Sequence, residues 1–386
     1  MTSFNNMTVN ANEAFVTLDE AVTAIMVYGK TIAPILVSEP GVGKSSTLQE
    51  IARRNGDKWR KPQDYETYRH TDKNVYIKAD MSQKDFQDFF VYGPDRATMK
   101  LQIFMADLLK SDDPRPHVIF LDEITKRTSK IMEAATSGML LEHRFGEWIA
   151  PEGSIVYGAA NNASDGVGDT MLAHNGNRSM ILNLLKSNNR SWATWALNNG
   201  IDASLASWAL ATPEAFQSYK TCPESELKNN HMIFIPNKNA LTFASLRSIA
   251  ACDVIVKNMG VCGENLTRAA LHGTVGAAAA ESMLTHFALG KDLPEFADIV
   301  ANPEGTTVPT KFASQLMCIT KRILANVTTQ DELTACITYV NRMDRKESHA
   351  FFHGLLAKLD RTKKLANGNA AHNKWMLDNK NYELIG

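Results

Sequence analysis

The stretch Ile35-Leu36-Val37-Ser38-Glu39-Pro40-Gly41-Val42-Gly43-Lys44-Ser45-Ser46 decides how the rest of the chain is read. Three β-prone apolar residues lead into a Gly-rich turn, and the turn leads into a lysine and two hydroxyls at a helix start. Consecutive backbone N–H groups in such a turn face one hollow, and the helix N-terminus adds partial positive charge. A polyphosphate can be held there without a cage of side chains. Residues Glu39, Pro40, Gly41, Val42, Gly43, Lys44, Ser45 and Ser46 then form a nucleotide cradle, with Lys44 reaching the β- and γ-phosphates and Ser45 ligating Mg2+. The strict pattern has a glycine where this chain has Ser38, a departure that is tolerable if the backbone there keeps φ below zero. Alone, the turn also fits an ordinary structural loop, so the remaining sequence has to decide.

The second signal is His117-Val118-Ile119-Phe120-Leu121-Asp122-Glu123. A short apolar run ending in two carboxylates reads as a buried parallel strand with both acids at its C-terminal end. Ligands of open α/β sheets sit at that end. Asp122 is placed to hold the Mg2+ water shell beside Ser45, and Glu123 to polarise an attacking water. A third strand, Ser154 to Asn162, ends in the amides Asn161 and Asn162, one of which can bond the attacking water or the γ-phosphate; a turn-forming Asn pair is the plainer reading. Between these strands Glu142 to Ile149 has hairpin character, with Gly146 near the turn.

Composition frames these signals. The chain has 386 residues, so two cores, or one core with a helical appendage, are expected. Lys plus Arg is 41 and Asp plus Glu is 42, which gives no global field toward nucleic acid or membrane. Neither a signal peptide nor a transmembrane span is expected, and the reading is a soluble, cytoplasmic protein. Five cysteines without a C-x-x-C pair read as buried reduced thiols.

Along the chain, residues 1–14 are Asn- and Thr-rich. Thr17 to Glu20 has capping-box spacing and opens a helix that Gly29 closes. Residues 57–74 mix Arg60, Lys61, Arg69 and Lys73 with Trp59, Tyr65 and Tyr68, but the interleaved acids favour a solvated loop over a single-strand nucleic-acid surface. Val75 to Ala79 is a further strand, Phe86 to Tyr92 an aromatic-rich insertion, and Leu101, Phe104 and Leu108 mark a helix. From 240 to 360 the pattern is helical, with shared faces at Leu316, Ile319 and Ile323, at Leu333, Cys336, Ile337 and Val340, and at Phe352, Leu355, Leu356 and Leu359. His349 and His353, four apart, read as helix-surface histidines rather than metal ligands. The tail after Arg361 reads as polar and mobile, with Trp375, Leu377 and Tyr382 able to dock on a neighbour.

In this order and spacing, P-G-V-G-K-S, V-I-F-L-D-E, E-H-R-F-G-E-W-I-A-P-E-G, G-A-A-N-N and N-R-S at 177–179 resemble an AAA+ ATPase module. The hairpin ahead of the amide strand resembles the MoxR-like branch, which includes bacterial and phage-encoded members. The resemblance runs from about residue 15 to about residue 250. Trp192 to Ala196 with Asn199 to Asp202 is similar to the segment joining core to helical lid in phage-type relatives. The resemblance implies that Lys44 and Ser45 are the Walker A lysine and hydroxyl, Asp122 the metal carboxylate and Glu123 the catalytic glutamate. Asn162 matches the sensor 1 amide, with Asn161 the less favoured neighbour. Arg178 sits where the family has an arginine finger for the next subunit, which implies a homo-oligomeric ring, usually of six. Lys126 or Arg127 stands near where relatives carry an arginine. The sensor 2 arginine falls on Ala244, and Arg247, one helical turn later, is the candidate substitute.

The fold class that follows is α/β: an AAA+ P-loop NTPase core with a parallel sheet between helices, then an α-helical lid and a helical C-terminal region. The expected divisions are a flexible N-terminus over 1–14, the core over 15–185, linker and lid over 186–290, and the helical C-terminal region over 291–386. The expected function is an ATP- and Mg2+-dependent ring ATPase that remodels a protein client, for which a von Willebrand factor A-domain protein is the family precedent. The competing readings are a nucleic-acid motor or loader in replication or recombination, and a nucleotide-dependent scaffold with little turnover.

Overall fold

The structure, a computed structural model, describes residues 14–57, 68–69, 73–97, 99–105, 109, 112–126, 129–161, 179–236, 240–290, 293–309, 313–343, 346–359 and 362–379. Asn162, Arg178, Arg127, Tyr382 and most of the basic–aromatic stretch 57–74 lie outside these. The chain divides into two compact units, the first of residues 1–186 with the short segment 235–238, the second of residues 187–234 and 239–386.

The first unit is organised by strands that are apolar on both faces. Its described strands are β1 (Phe15–Val16), β2 (Pro34–Ser38), β3 (Tyr68–Arg69), β4 (Val75–Asp80), β5 (Phe90–Asp95), β6 (Lys100–Met105), β7 (His117–Asp122), β8 (Arg144–Phe145), β9 (Trp148–Ile149), β10 (Ile155–Asn161) and β11 (Met180–Leu184). Seven form one sheet in the order β1-β11-β2-β10-β7-β4-β3. All neighbours in it run parallel except β3, which pairs antiparallel with β4 at the edge. Parallel strands need crossovers, and a sheet covered on both faces needs apolar side chains on both. That is what alternates here. Leu36, Tyr76, Val118, Phe120, Tyr157 and Ala159 pack with Val22 and Ile25 of α1 (Leu18–Tyr28) and Leu48 and Ile51 of α2 (Thr47–Arg54). Ile35, Ile77, Ile119, Leu121 and Val156 face the other way, onto Met132, Met139 and Leu140 of α3 (Lys130–Glu142) and onto Phe90 and Phe145.

The helix boundaries follow local chemistry. Thr17 accepts from the Glu20 N–H while the Glu20 carboxylate accepts from the Thr17 N–H, a complete capping box. Gly29 does close α1, but its φ is −63°, so left-handed freedom is not the reason. A Cβ there would meet the Ile25 carbonyl oxygen at 2.5 Å and Ile155 at 2.8 Å; close approach demands the glycine. Of the helix expected around Leu101, Phe104 and Leu108, Leu108 lies outside the described residues. The described part, Lys100 to Met105, is instead strand β6, paired antiparallel with β5 over Phe90 to Met105. Its three-and-four spacing was outweighed by the β-prone run Lys100 to Met105 finding a partner strand in the preceding segment, the tertiary override to which short amphipathic runs are open. The expected hairpin is present as β8–β9, with Gly146 at φ 61°.

The second unit is helical in its described residues. One contiguous apolar cluster runs from Trp192 to Ala366, and it contains the expected faces Ile319/Ile323, Leu333/Cys336/Ile337/Val340 and Phe352/Leu355/Leu356/Leu359. Ser245 caps the helix Leu246–Lys257 and Thr329 caps Gln330–Val340, each with a capping box. The described residues after Arg361, 362–379, form the helices Lys363–Gly368 and Ala370–Asp378. Trp375 docks within the chain, stacked on His353 with ring centroids 4.2 Å apart. Among the cysteines, Cys252 and Cys336 are buried, Cys222 and Cys318 half-buried and Cys262 exposed, all as free thiols. Among the described residues no helix is long and apolar enough to cross a membrane.

Two buried histidines, His353 and His286, set an expected pH dependence for this unit. His353 bonds His372 through Nδ1 at 2.8 Å, and its Nε2 is buried without a hydrogen-bond partner. Burial, with His372 and His349 nearby, pushes its pKa down to about 3. Burial takes His286, which contacts Ser207 and Cys318, down to about 4. These groups stay neutral in the fold, whereas unfolded histidine binds a proton below about pH 6.5. Their stabilisation is therefore complete above that pH and is lost as pH falls toward 4, at about 1.4 kcal/mol per pH unit for each histidine. We expect the denaturation midpoint of the second unit to fall between pH 6.5 and 4 and the slope to shrink in His353→Phe. A pH-independent midpoint contradicts this.

Candidate functional site

Strand register places the polar residues at one edge of the sheet. Asn161 pairs across from Ser38, and Asp80 from Asp122. Gly158 stands opposite both Ile35 and Leu121, so β10 overhangs the end of β7. Side chains two apart share a face, and Ser38, Lys78, Asp80, Asp122 and Asn161 all follow residues that pack on the α1–α2 face. This is the face on which the Gly-rich loop runs into its helix.

The loop conformation is the one the sequence requires. Gly41 and Gly43 have φ of 77° and 106°, values that L-residues with a Cβ avoid. Ser38 is the last residue of β2 and is not among the positive-φ residues, so its lack of glycine strains nothing. Lys44–Ser46 form a single 3-10 turn that passes into α2, with the Ser46 N–H donating to the Gly43 carbonyl at 2.9 Å. Thr47 donates to the Lys44 carbonyl at 2.6 Å and contacts the Tyr157 hydroxyl at 3.0 Å, which locks the turn to β10. Burial pushes that Tyr157 hydroxyl far above the usual tyrosine range, so it remains neutral.

Lys44 is 8% exposed. Its ammonium donates to Asn161 Oδ1 at 2.9 Å and Ser38 Oγ at 3.0 Å, with the Ser38 and Glu39 carbonyls farther off at 3.4 Å. The other end of the same amide, Asn161 Nδ2, donates to both oxygens of Glu123 at 3.1 Å. Glu123 also pairs with Lys126 at 3.3 Å. Ser45 Oγ donates to Asp122 Oδ2 at 3.0 Å, and Lys78 stands 3.2 Å from that same oxygen. Glu39 faces Lys186, 3.8 Å away, in a buried ion pair in which burial lowers the Lys186 pKa and Glu39 opposes the drop.

The structure thus joins Lys44, Ser45, Asp122 and Glu123 of the expected set. The amide that reaches them is Asn161; Asn162 and Arg178 lie outside the described residues. Arg247 belongs to the second unit and stands exposed in the first turn of Leu246–Lys257, while Ala244 is buried. The sequence reading passed over Lys78 and ranked Asn161 below Asn162. Strand parity was the available signal for both, since Tyr76/Lys78 and Tyr157/Asn161 alternate onto the helix face.

The donor set suits a metal-bound polyphosphate: a Gly-rich loop running into a helix, one buried ammonium, and a hydroxyl and a carboxylate 3.0 Å apart, close to the oxygen–oxygen edge of Mg2+ coordination with bonds of about 2.1 Å. Glu123 has φ 55°, a left-handed conformation that strains a residue with a side chain and that clusters at functional sites. We expect Glu123→Gly to leave the denaturation free energy of the chain unchanged or raised by up to ~1 kcal/mol, where glycine elsewhere would cost about as much. A loss above ~1 kcal/mol contradicts stored strain at this position.

No protein-family model matches the chain, and no curated protein sequence matches it. Among solved structures, one similar chain is a protein of Cytophaga hutchinsonii assigned as an ATPase, at 10% identity and a TM-score of 0.29, covering 86% of this chain and 79% of that one. Another is PCH-2 of C. elegans, at 11% identity and 0.30, covering 69% and 67%. Both superpose loosely, and the function proposed below rests on the geometry of the site.

Proposed function

We propose that the chain is a Mg2+-dependent ATPase of the AAA+ class and MoxR-like type, acting as a homo-oligomeric ring on a protein client. The observation that carries this reading is the hydrogen-bonded line from Lys44 through Asn161 to Glu123, beside the Ser45–Asp122 pair. In it a phosphate-binding cation, a water-orienting carboxylate and a metal-binding pair share one edge of the sheet. The β8–β9 hairpin ahead of the amide strand supports the MoxR-like assignment.

Hydrolysis in this reading is in-line attack of water on the γ-phosphate. The loop N–H groups of 41–45 bind the polyphosphate and orient it. Lys44 neutralises charge on the β- and γ-oxygens. Glu123, held by Asn161 and Lys126, accepts a hydrogen bond from the attacking water and aims it. Bound Mg2+, with Ser45 and Asp122 as its protein partners, would neutralise charge between the β- and γ-phosphates. Arg178 supplies the transition-state cation to the neighbouring subunit's site.

Two measurements test this. Glu123→Gln should bind ATP with affinity near that of the unaltered chain and lose steady-state phosphate release by about a hundredfold or more. Retained turnover removes Glu123 from its role. Arg178→Ala should be inactive alone and regain part of the activity when mixed with Lys44→Ala, because each then lends the other its intact half. No recovery in any mixture argues against a shared site.

A further inference from the structure

Ser38 stands where the strict phosphate loop has glycine, and its hydroxyl takes part in the site. The hydroxyl proton is committed to the Glu39 carbonyl at 2.9 Å, so its lone pairs are free to face Lys44, whose ammonium lies 3.0 Å away. Ser38 is 2% exposed and Lys44 8%. A hydrogen bond to a charged group is strong in such surroundings. A glycine at this position would offer only the backbone carbonyl, which lies at 3.4 Å. An ammonium has three donors. Here Asn161 and Ser38 accept at short range, with the Ser38 and Glu39 carbonyls at 3.4 Å.

We propose that Ser38 is an affinity-determining residue of this loop: its hydroxyl retains the Lys44 ammonium, and a β-phosphate must draw the lysine away from it to bind. The proposal rests on the nucleotide reading above. Ser38 is a positioning residue, acting on the phosphate only through Lys44. The consequence is a phosphate loop set to bind more weakly than its glycine counterpart, so that it empties more readily between turnovers. Asn161 plays a different part, since its amide also holds Glu123.

The test is a titration of the full-length chain, of Ser38→Gly and of Ser38→Ala with fluorescent ADP, with AMP as a competitor. Both variants lack the hydroxyl, and only glycine adds backbone freedom. We expect both to bind ADP about tenfold more tightly than the unaltered chain, a charge-assisted hydrogen bond's worth of competition removed, with AMP affinity unchanged because AMP has no β-phosphate for Lys44 to reach. Thermal melts run alongside separate a folding defect from a binding change. If the unaltered chain binds ADP and the variants bind equally or less tightly while folded, the Ser38 proposal fails and the nucleotide reading stands. If glycine alone tightens binding, backbone freedom is the cause and the proposal fails. If AMP binding tightens in step with ADP, Lys44 is not the route and it fails again. If neither the unaltered chain nor a folded variant binds ADP, the nucleotide reading falls and takes this proposal with it.

Discussion

A lysine ammonium buried at the end of a parallel sheet is the constraint on which the first unit turns. Left without acceptors, a buried charge costs several kcal/mol, so the fold has to bring acceptors to Lys44. It does so with two neighbouring strand ends, Ser38 on β2 and Asn161 on β10, which the parallel register sets side by side. For Asn161 to reach Glu123 as well, β10 must lie between β2 and β7 and run past the end of β7, and both hold. Strand order, strand length and the polar site are therefore one arrangement. The two apolar faces supply the stabilisation that lets the edge carry so much charge.

Much of this was written in the sequence, because the signals there are local. The apolar run into Gly41 and Gly43, the strand ending in Asp122 and the helix faces of the second unit each depend on residues close along the chain. What local patterns could not fix depends on partners far along it. That Asn161 joins the site depends on which face of β10 carries α2, and Tyr157, in contact with Thr47 of α2, places Asn161 on that face; Asn162 lies outside the described residues. Lys78 was hidden in an otherwise apolar strand and gained meaning only once β4 was seated beside β7. The Leu101 to Leu108 segment has a helix-like spacing, yet its first half became β6 because β5 offered an open edge. Trp375 stacks on His353 within its own chain, a contact no local pattern reveals.

The departures from pattern have a common physical character. Ser38 replaces a glycine at a position whose backbone does not need one and adds a hydroxyl to the lysine's surroundings. Glu123 takes a left-handed conformation that a glycine would adopt more readily and keeps a carboxylate beside Asn161. In both places the chain keeps a functional group where the backbone alone would accept or prefer none. Local rules of this kind are broken most often where a site has work to do.

The central claim is that the loop 39–46 holds a polyphosphate by its backbone N–H groups and Lys44. Hydrogen–deuterium exchange of the full chain with and without Mg2+-ATP reads those N–H groups directly. The account predicts slowed exchange for the amides of 41–45, together with the ends of β7 and β10. Unchanged exchange across 41–45 at saturating nucleotide, or protection confined to the second unit, would contradict it.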